Sequence, residues 1–102
     1  MKTYYQVGII EQKVFDGSVE HAATRDQRTR VLTFETLEDA IPEFESQVKR
    51  VKATAEYSKR HKATEEIHSI VDILKNGAAV VDPYWFEITY SNNEIKTFED
   101  EQ

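Results

Sequence analysis

Three histidines and nineteen carboxylates are the groups of this 102-residue chain best suited to chemistry. His61, Glu65, His68 and Asp72 stand at i, i+4, i+7 and i+11. On one unbroken helix they would form a single stripe, and imidazole and carboxylate one turn apart can hold a divalent metal. Glu65-x-x-His68 matches half of the spacing used in carboxylate-bridged di-iron bundles, but the second such motif and two further inward glutamates have no counterpart here. The stripe also lies opposite an apolar face of Ile67, Ile70, Val71 and Leu74. It therefore reads as a solvated face with local His–acid pairs, and neither a metal nor another cofactor is expected. His21 sits in a polar stretch without an evident partner.

Nucleophilic chemistry has no signature. The chain has no cysteine, which excludes thiol nucleophiles, disulfide scaffolds, Cys-based zinc sites and iron–sulfur clusters. It has no G-x-S-x-G and no Walker lysine, and three glycines make a phosphate cradle of backbone N–H groups improbable. Nineteen carboxylates allow many pairs, yet no spacing singles one out as a general acid and base. The expectation is a protein that is not an enzyme.

Charge is distributed in blocks beneath a net −6. Residues 35–48 carry five acids and no base, whereas residues 49–62 carry six bases and one acid. From residue 63 onward nine acids face two bases. The basic block supplies Lys49, Lys52, Lys59 and Arg60, and Arg25, Arg28 and Arg30 stand on a preceding polar segment. Together they define an alternative reading as a direct nucleic-acid-binding protein, with Tyr57 as a stacking platform. Against it, Glu45–Lys49, Lys52–Glu56 and Glu56–Arg60 stand at i, i+4, the spacing of ordinary surface pairs.

The acidic blocks point the other way. Carboxylates on a rigid surface can imitate DNA phosphates and occupy the groove of a nucleic-acid enzyme. Small, acidic, cysteine-poor inhibitors of restriction and CRISPR systems from phages and mobile elements work in this manner. Glu94, Glu99, Asp100 and Glu101 are the candidate partner-binding acids. In Tyr84-Trp85-Phe86 the tryptophan points away from its two neighbours on a strand, so Trp85 is either core or an exposed anchor for a partner.

These side chains need elements to position them. Leu, Ile, Val and Phe make up about a quarter of the chain, enough for one folded core over residues 1–102, with 99–102 as a frayed acidic tail. Residues 3–15 alternate as a strand, with Tyr5, Val7 and Ile9 on one side and Tyr4, Ile10 and Val14 on the other. Asp16-Gly17 is a turn signal, Ser18–Arg30 a long loop or the outer half of a hairpin, and Val31–Phe34 a second strand. Thr36 is a helix N-cap. Leu37, Ile41, Phe44, Val48, Val51 and Ala55 fall within about 80° of one another on a helical wheel. Pro42 predicts a kink or a split-off first turn. That 4-3 stripe resembles a coiled-coil seam, so a homodimer is an alternative to packing on its own sheet.

A second helix is expected over 64–76, with Thr64 as its cap and Asn76-Gly77 as its end, separated from the first by a break between Tyr57 and Thr64. Asp82-Pro83 reads as a loop, Tyr84–Tyr90 as a third strand, Asn92-Asn93 as a tight turn and Ile95–Phe98 as a fourth strand. The predicted architecture is a two-layer α+β domain of order ββααββ, about four antiparallel strands with two helices on one face. The longest apolar run, Ala78–Val81, is far short of the ~20 residues a membrane span needs. Gln6, Gly8 and Glu11 interrupt any secretory core, so a cytoplasmic protein without a membrane partner is expected. The functional expectation is a small acidic protein-binding module, an inhibitor or regulator of a nucleic-acid-handling protein.

Overall fold

The computed structural model describes residues 2–15, 24–78 and 80–99. Its elements run β1 (Tyr5–Phe15), β2 (Thr24–Phe34), α1 (Leu37–Arg60), β3 (Glu66–Lys75), β4 (Val80–Ser91) and β5 (Glu94–Glu99). The five strands form one antiparallel sheet in the order β2-β1-β3-β4-β5. The class is α+β as expected, but the order is ββαβββ with five strands, and among the described residues α1 is the only helix.

The segment expected as a second helix is β3. Ile67, Ile70, Val71 and Leu74 satisfy i, i+3, i+4, i+7, but the same stretch alternates Ile67, Ser69, Val71 and Ile73, all buried. Ser69, polar yet 3% exposed, obscures that alternation in the sequence. Four of the ten residues are Ile or Val, whose branched side chains suit a pleated surface better than a helix. Pairing with β1 on one side and β4 on the other decides the matter.

The helix begins where expected. Thr36 Oγ1 accepts from the Asp39 N–H at 3.1 Å, and Glu38 and Asp39 stand in the first turn, where the dipole favours them. α1 then runs unbroken through Pro42 instead of splitting there. Pro42 is exposed and one turn in, so it forfeits only the N–H bond to the Glu38 carbonyl. The acidic and basic blocks of the sequence are thus the N- and C-terminal halves of one helix, arranged to complement its dipole.

The helix ends at Arg60, within the Tyr57–Thr64 interval where a break between two helices is expected, and a strand follows in place of the second helix. His61 caps the helix and Lys62 takes a left-handed conformation, φ 52°. The Ala63 N–H donates to the Ser58 carbonyl at 2.9 Å, and the Lys62 N–H to Lys59 at 3.1 Å. This is a Schellman ending with lysine where glycine is usual, which is why no Gly marked it.

At 1.5 Å per residue the 24-residue helix is about as long as an 11-residue strand at 3.3 Å, so it can lie along the sheet. It contacts all five strands on one face. The core between the layers holds Val7 and Ile9 of β1, Ile67, Val71 and Ile73 of β3, Phe86, Ile88 and Tyr90 of β4, and Ala40, Val51 and Ala55 of α1. Leu37, Ile41, Phe44 and Val48 pack against it, so the 4-3 stripe faces the chain's own sheet. Each large apolar side chain buried here contributes about 1.5–3 kcal/mol. The Tyr90 hydroxyl donates to the Ala63 carbonyl at 2.8 Å and ties the end of the helix to β4.

The turns follow their residues. Asn92 and Asn93 both have positive φ and close the β4–β5 hairpin. Asn76 and Gly77, expected to end a helix, close the β3–β4 connection with φ of 52° and 71°. Asn76 also exchanges two bonds of 2.9 Å with the Tyr4 backbone. Asp82-Pro83 lies inside β4, where the register with β3 shifts, and not in a separate loop. Glu99 belongs to β5, opposite Phe86. The Asp16-Gly17 turn, His21, Asp100 and Glu101 lie outside the described residues.

Candidate functional site: the open face of the sheet

One helix covers one face of five strands, and the described elements leave the other face open. Directly opposed residues of an antiparallel pair share a face. One row across the open face therefore runs Val31, Gly8, Asp72, Trp85, and the next runs Thr29, Ile10, Ile70, Glu87, Phe98. A third runs Gln12, His68, Thr89, Lys96. Leu74 and Glu66 extend β3 at either end.

Apolar side chains spread across this face: Val31 and Phe98, on the two edge strands, are half exposed, and Ile10, Ile70, Leu74 and Trp85 are partly buried. Strands apolar on both sides normally belong to sheets covered on both sides. Here β3 carries Ile70 and Leu74 on a face that no described element covers. That doubling also produced the helical pattern in the sequence: the two faces of one strand together mimic one face of a helix. Trp85 is not core. Phe86, Ile88 and Tyr90 face the helix, so strand alternation directs Trp85 to the open side.

Among the described side chains the face is also acidic: Glu66, Asp72, Glu87 and Glu94 stand on it against Lys96 and the imidazole of His68, and the backbone register puts Arg25 opposite Val14 in the row of Glu66. His68 Nε2 contacts Glu87 Oε2, a diagonal pair across β3 and β4. Glu66 accepts from Ser91 Oγ at 3.2 Å.

Asp72 differs from these acids. Its partner on β1 is Gly8, and a Cβ built on that glycine would lie 2.6 Å from Asp72 Oδ1. The missing side chain thus makes the space into which the carboxylate leans. Burial pushes the Asp72 carboxyl above the usual carboxylate range, and a backbone hydrogen bond from Gly8 partly offsets this. Among the described residues no cationic side chain lies within ion-pair distance of it.

The His61, Glu65, His68 and Asp72 stripe does not form, because residues 66–75 are a strand and not a helix. With 66–75 extended, His68 and Asp72 are four strand residues apart, about 13 Å. Glu65 accepts from Ser58 Oγ at 2.9 Å on the helix side, and His61 is the helix cap, its ring 4.2 Å from that of Tyr57. Among the described residues no three His, Asp or Glu side chains converge.

The candidate nucleic-acid residues are divided between elements. Lys49, Lys52, Lys59 and Arg60 share α1, while Arg25, Arg28 and Arg30 belong to β2. Arg30 donates to Gln47 Oε1 at 3.3 Å, and Lys52 pairs with Glu99 at 3.9 Å and not with Glu56. The Lys52 ammonium also lies 5.2 Å from the centre of the Phe86 ring. Arg50 is bound by Glu11 and by Gln47, pinning α1 to β1. The side chains of Arg25 and Arg28 lie outside the described residues.

Several shallow clefts of about 170 to 390 Å³ lie on the described surface, two of them beside residues discussed above. One, about 280 Å³, is lined by Gln12, His68, Thr89 and Ser91 among others. The other, about 320 Å³, lies between α1 and β4, with Phe44 and Tyr84 edge to face at 5.7 Å and Glu45 and Glu99 beside them. Both are at or below the small end of ligand sites. Among the described residues no helix is long and apolar enough to cross a membrane. No family model matches the chain, and neither the curated proteins nor the solved structures give a match.

Sequence reasoning singled out Trp85 as either core or an exposed anchor, and missed Gly8, Val31, Ile70, Leu74 and Phe98 as parts of the face it shares. A glycine inside an otherwise regular strand was the available signal, because it marks close approach by another group.

Proposed function

We propose that the protein is a binding module, not an enzyme, and that it docks a protein partner on the open face of its sheet. The supporting observation is that face itself: five strands wide, uncovered by the described elements, with apolar side chains interleaved with acids. Isolated exposed apolar residues are ordinary, but a contiguous apolar surface rimmed by polar groups is the signature of an interaction site. Such a surface suits a partner that presents apolar side chains among basic ones. Nucleic-acid-handling proteins offer basic surfaces of this kind, which supports the finer reading as an inhibitor or regulator that occupies such a groove, in the manner of phage-type anti-restriction and anti-CRISPR proteins. The net charge of −6 agrees in sign.

The test is affinity capture from nuclease-treated lysate with three tagged forms: wild type, a Val31→Glu/Phe98→Glu double variant, and Ala53→Glu on the exposed side of α1. The expected result is a stoichiometric partner held by wild type and Ala53→Glu, and released about thirty-fold more readily by the double variant. Displacement of that partner by added DNA supports the finer reading. A partner retained equally by the double variant overturns the open-face reading. Direct DNA or RNA binding that falls steeply with salt favours the nucleic-acid alternative instead.

A further inference from the structure

This inference rests on the open-face reading and names what the centre of that face recognises. We propose that the notch formed by Gly8, Asp72 and Trp85 takes the guanidinium group of an arginine presented by the protein partner.

The three residues lie in one row across β1, β3 and β4. Gly8 contributes backbone and no side chain, so the Asp72 carboxylate leans against β1 while Asp72 keeps part of its surface exposed. Ile70 and Leu74 precede and follow Asp72 on the same face of β3, and Leu74 Cδ1 lies 3.8 Å from the position a Gly8 Cβ would take. Trp85 is the cross-strand neighbour of Asp72, with Cβ atoms about 5 Å apart in such pairs. The carboxylate therefore stands between Ile70 and Leu74 on its own strand, with Trp85 its cross-strand neighbour, and is partly removed from water.

A carboxylate in such a place is costly unless a cation meets it. Among the described side chains the cationic groups on this face are committed elsewhere or lie in other rows: His68 is engaged by Glu87, and Lys96 stands on β5 in the row of His68; the register puts Arg25 in the row of Glu66, three rows from Asp72. The burial that raises the affinity of Asp72 for its proton expresses the same unmet demand for positive charge. Planarity selects guanidinium over ammonium. An arginine side chain can stack on the indole while its N–H fork meets both carboxylate oxygens, and it is more weakly hydrated than lysine.

Trp85 is the chain's one tryptophan, so its fluorescence reports directly on this notch. The experiment titrates the full-length protein with N-acetyl-arginine methylamide at constant ionic strength, reading Trp85 emission and the Gly8 amide NMR signal. Parallel titrations use the citrulline analogue, which is neutral and nearly isosteric, and the lysine analogue. A saturable response to arginine is expected, none to citrulline, and binding about tenfold weaker in Asp72→Asn. No saturable response up to about 100 mM, equal responses to citrulline and arginine, or unchanged binding in Asp72→Asn each overturns the proposal. Lysine binding as tightly as arginine overturns the guanidinium assignment. The two readings fail separately. A captured partner lost by Val31→Glu/Phe98→Glu but held normally by Asp72→Asn removes the arginine notch and leaves the docking face standing.

Discussion

Replacing Gly8 with alanine places a methyl group 2.6 Å from Asp72 Oδ1, where ordinary contact begins at 3.4 Å. The backbone of Gly8 has no positive φ, so alanine meets no conformational obstacle and the cost comes from the carboxylate. Asp72 must retreat by about 1 Å, and its carboxylate, the far end of a side chain on the open face, swings off the Gly8 backbone to do so. It also gives up its hydrogen bond from the Gly8 backbone. Crowding and the lost bond to a half-buried charged group together cost about 2 kcal/mol. Against this, alanine in an extended strand gains about 0.7 kcal/mol by restricting the unfolded chain. Gly8→Ala alone should therefore destabilise by about 1 kcal/mol and lower Tm by roughly 4–8 °C. In an Asp72→Ala background there is nothing to crowd, and the same substitution should stabilise by about 0.7 kcal/mol. The assay is a double-mutant cycle by urea unfolding, followed by circular dichroism at neutral pH. The expected coupling is about 2 kcal/mol, and a value below about 0.5 kcal/mol refutes the reasoning.

Three further outcomes follow from the same structure. Ile73 is core and Ile70 faces outward, the reverse of a helical 64–76, so Ile73→Ala should cost about 2–5 kcal/mol and Ile70→Ala less than half as much in denaturant melts. Lys62→Gly should raise stability by about 1 kcal/mol, because a left-handed residue with a Cβ closes the helix; an unchanged Tm contradicts that account. Asp72 holds its proton more tightly when folded than when unfolded, so its ionisation opposes folding: stability falls as pH rises from the ordinary carboxylate range through the raised folded value, and is level above it. Asp72→Asn should remove that slope, and melts from pH 3 to 8 that show the same slope in both proteins refute it.

Local pattern alone determined much of this protein. Alternation marked β1, the strand through Tyr84–Tyr90 and the strand through Ile95–Phe98, and Thr36 with the 4-3 stripe marked α1. Asn92-Asn93 marked its hairpin because two left-handed residues suit a tight turn. Composition by itself excluded thiol, disulfide and iron–sulfur chemistry, since a chain without cysteine has no sulfur nucleophile or thiolate ligand to offer. The tertiary structure alone decided the state of residues 66–75. Ten residues with apolar side chains on both strand faces satisfy a 3.6-residue period as well as a 2-residue period, and short-range propensity does not separate the two. Hydrogen bonding to β1 and β4 does, and it also decides the functional surface. Gly8, Asp72 and Trp85 are each more than ten residues apart in the chain, so only strand register brings them into one row. The facing of Trp85 depends on the fold for the same reason: alternation says which residues share a side, and only the position of the helix says which side is covered.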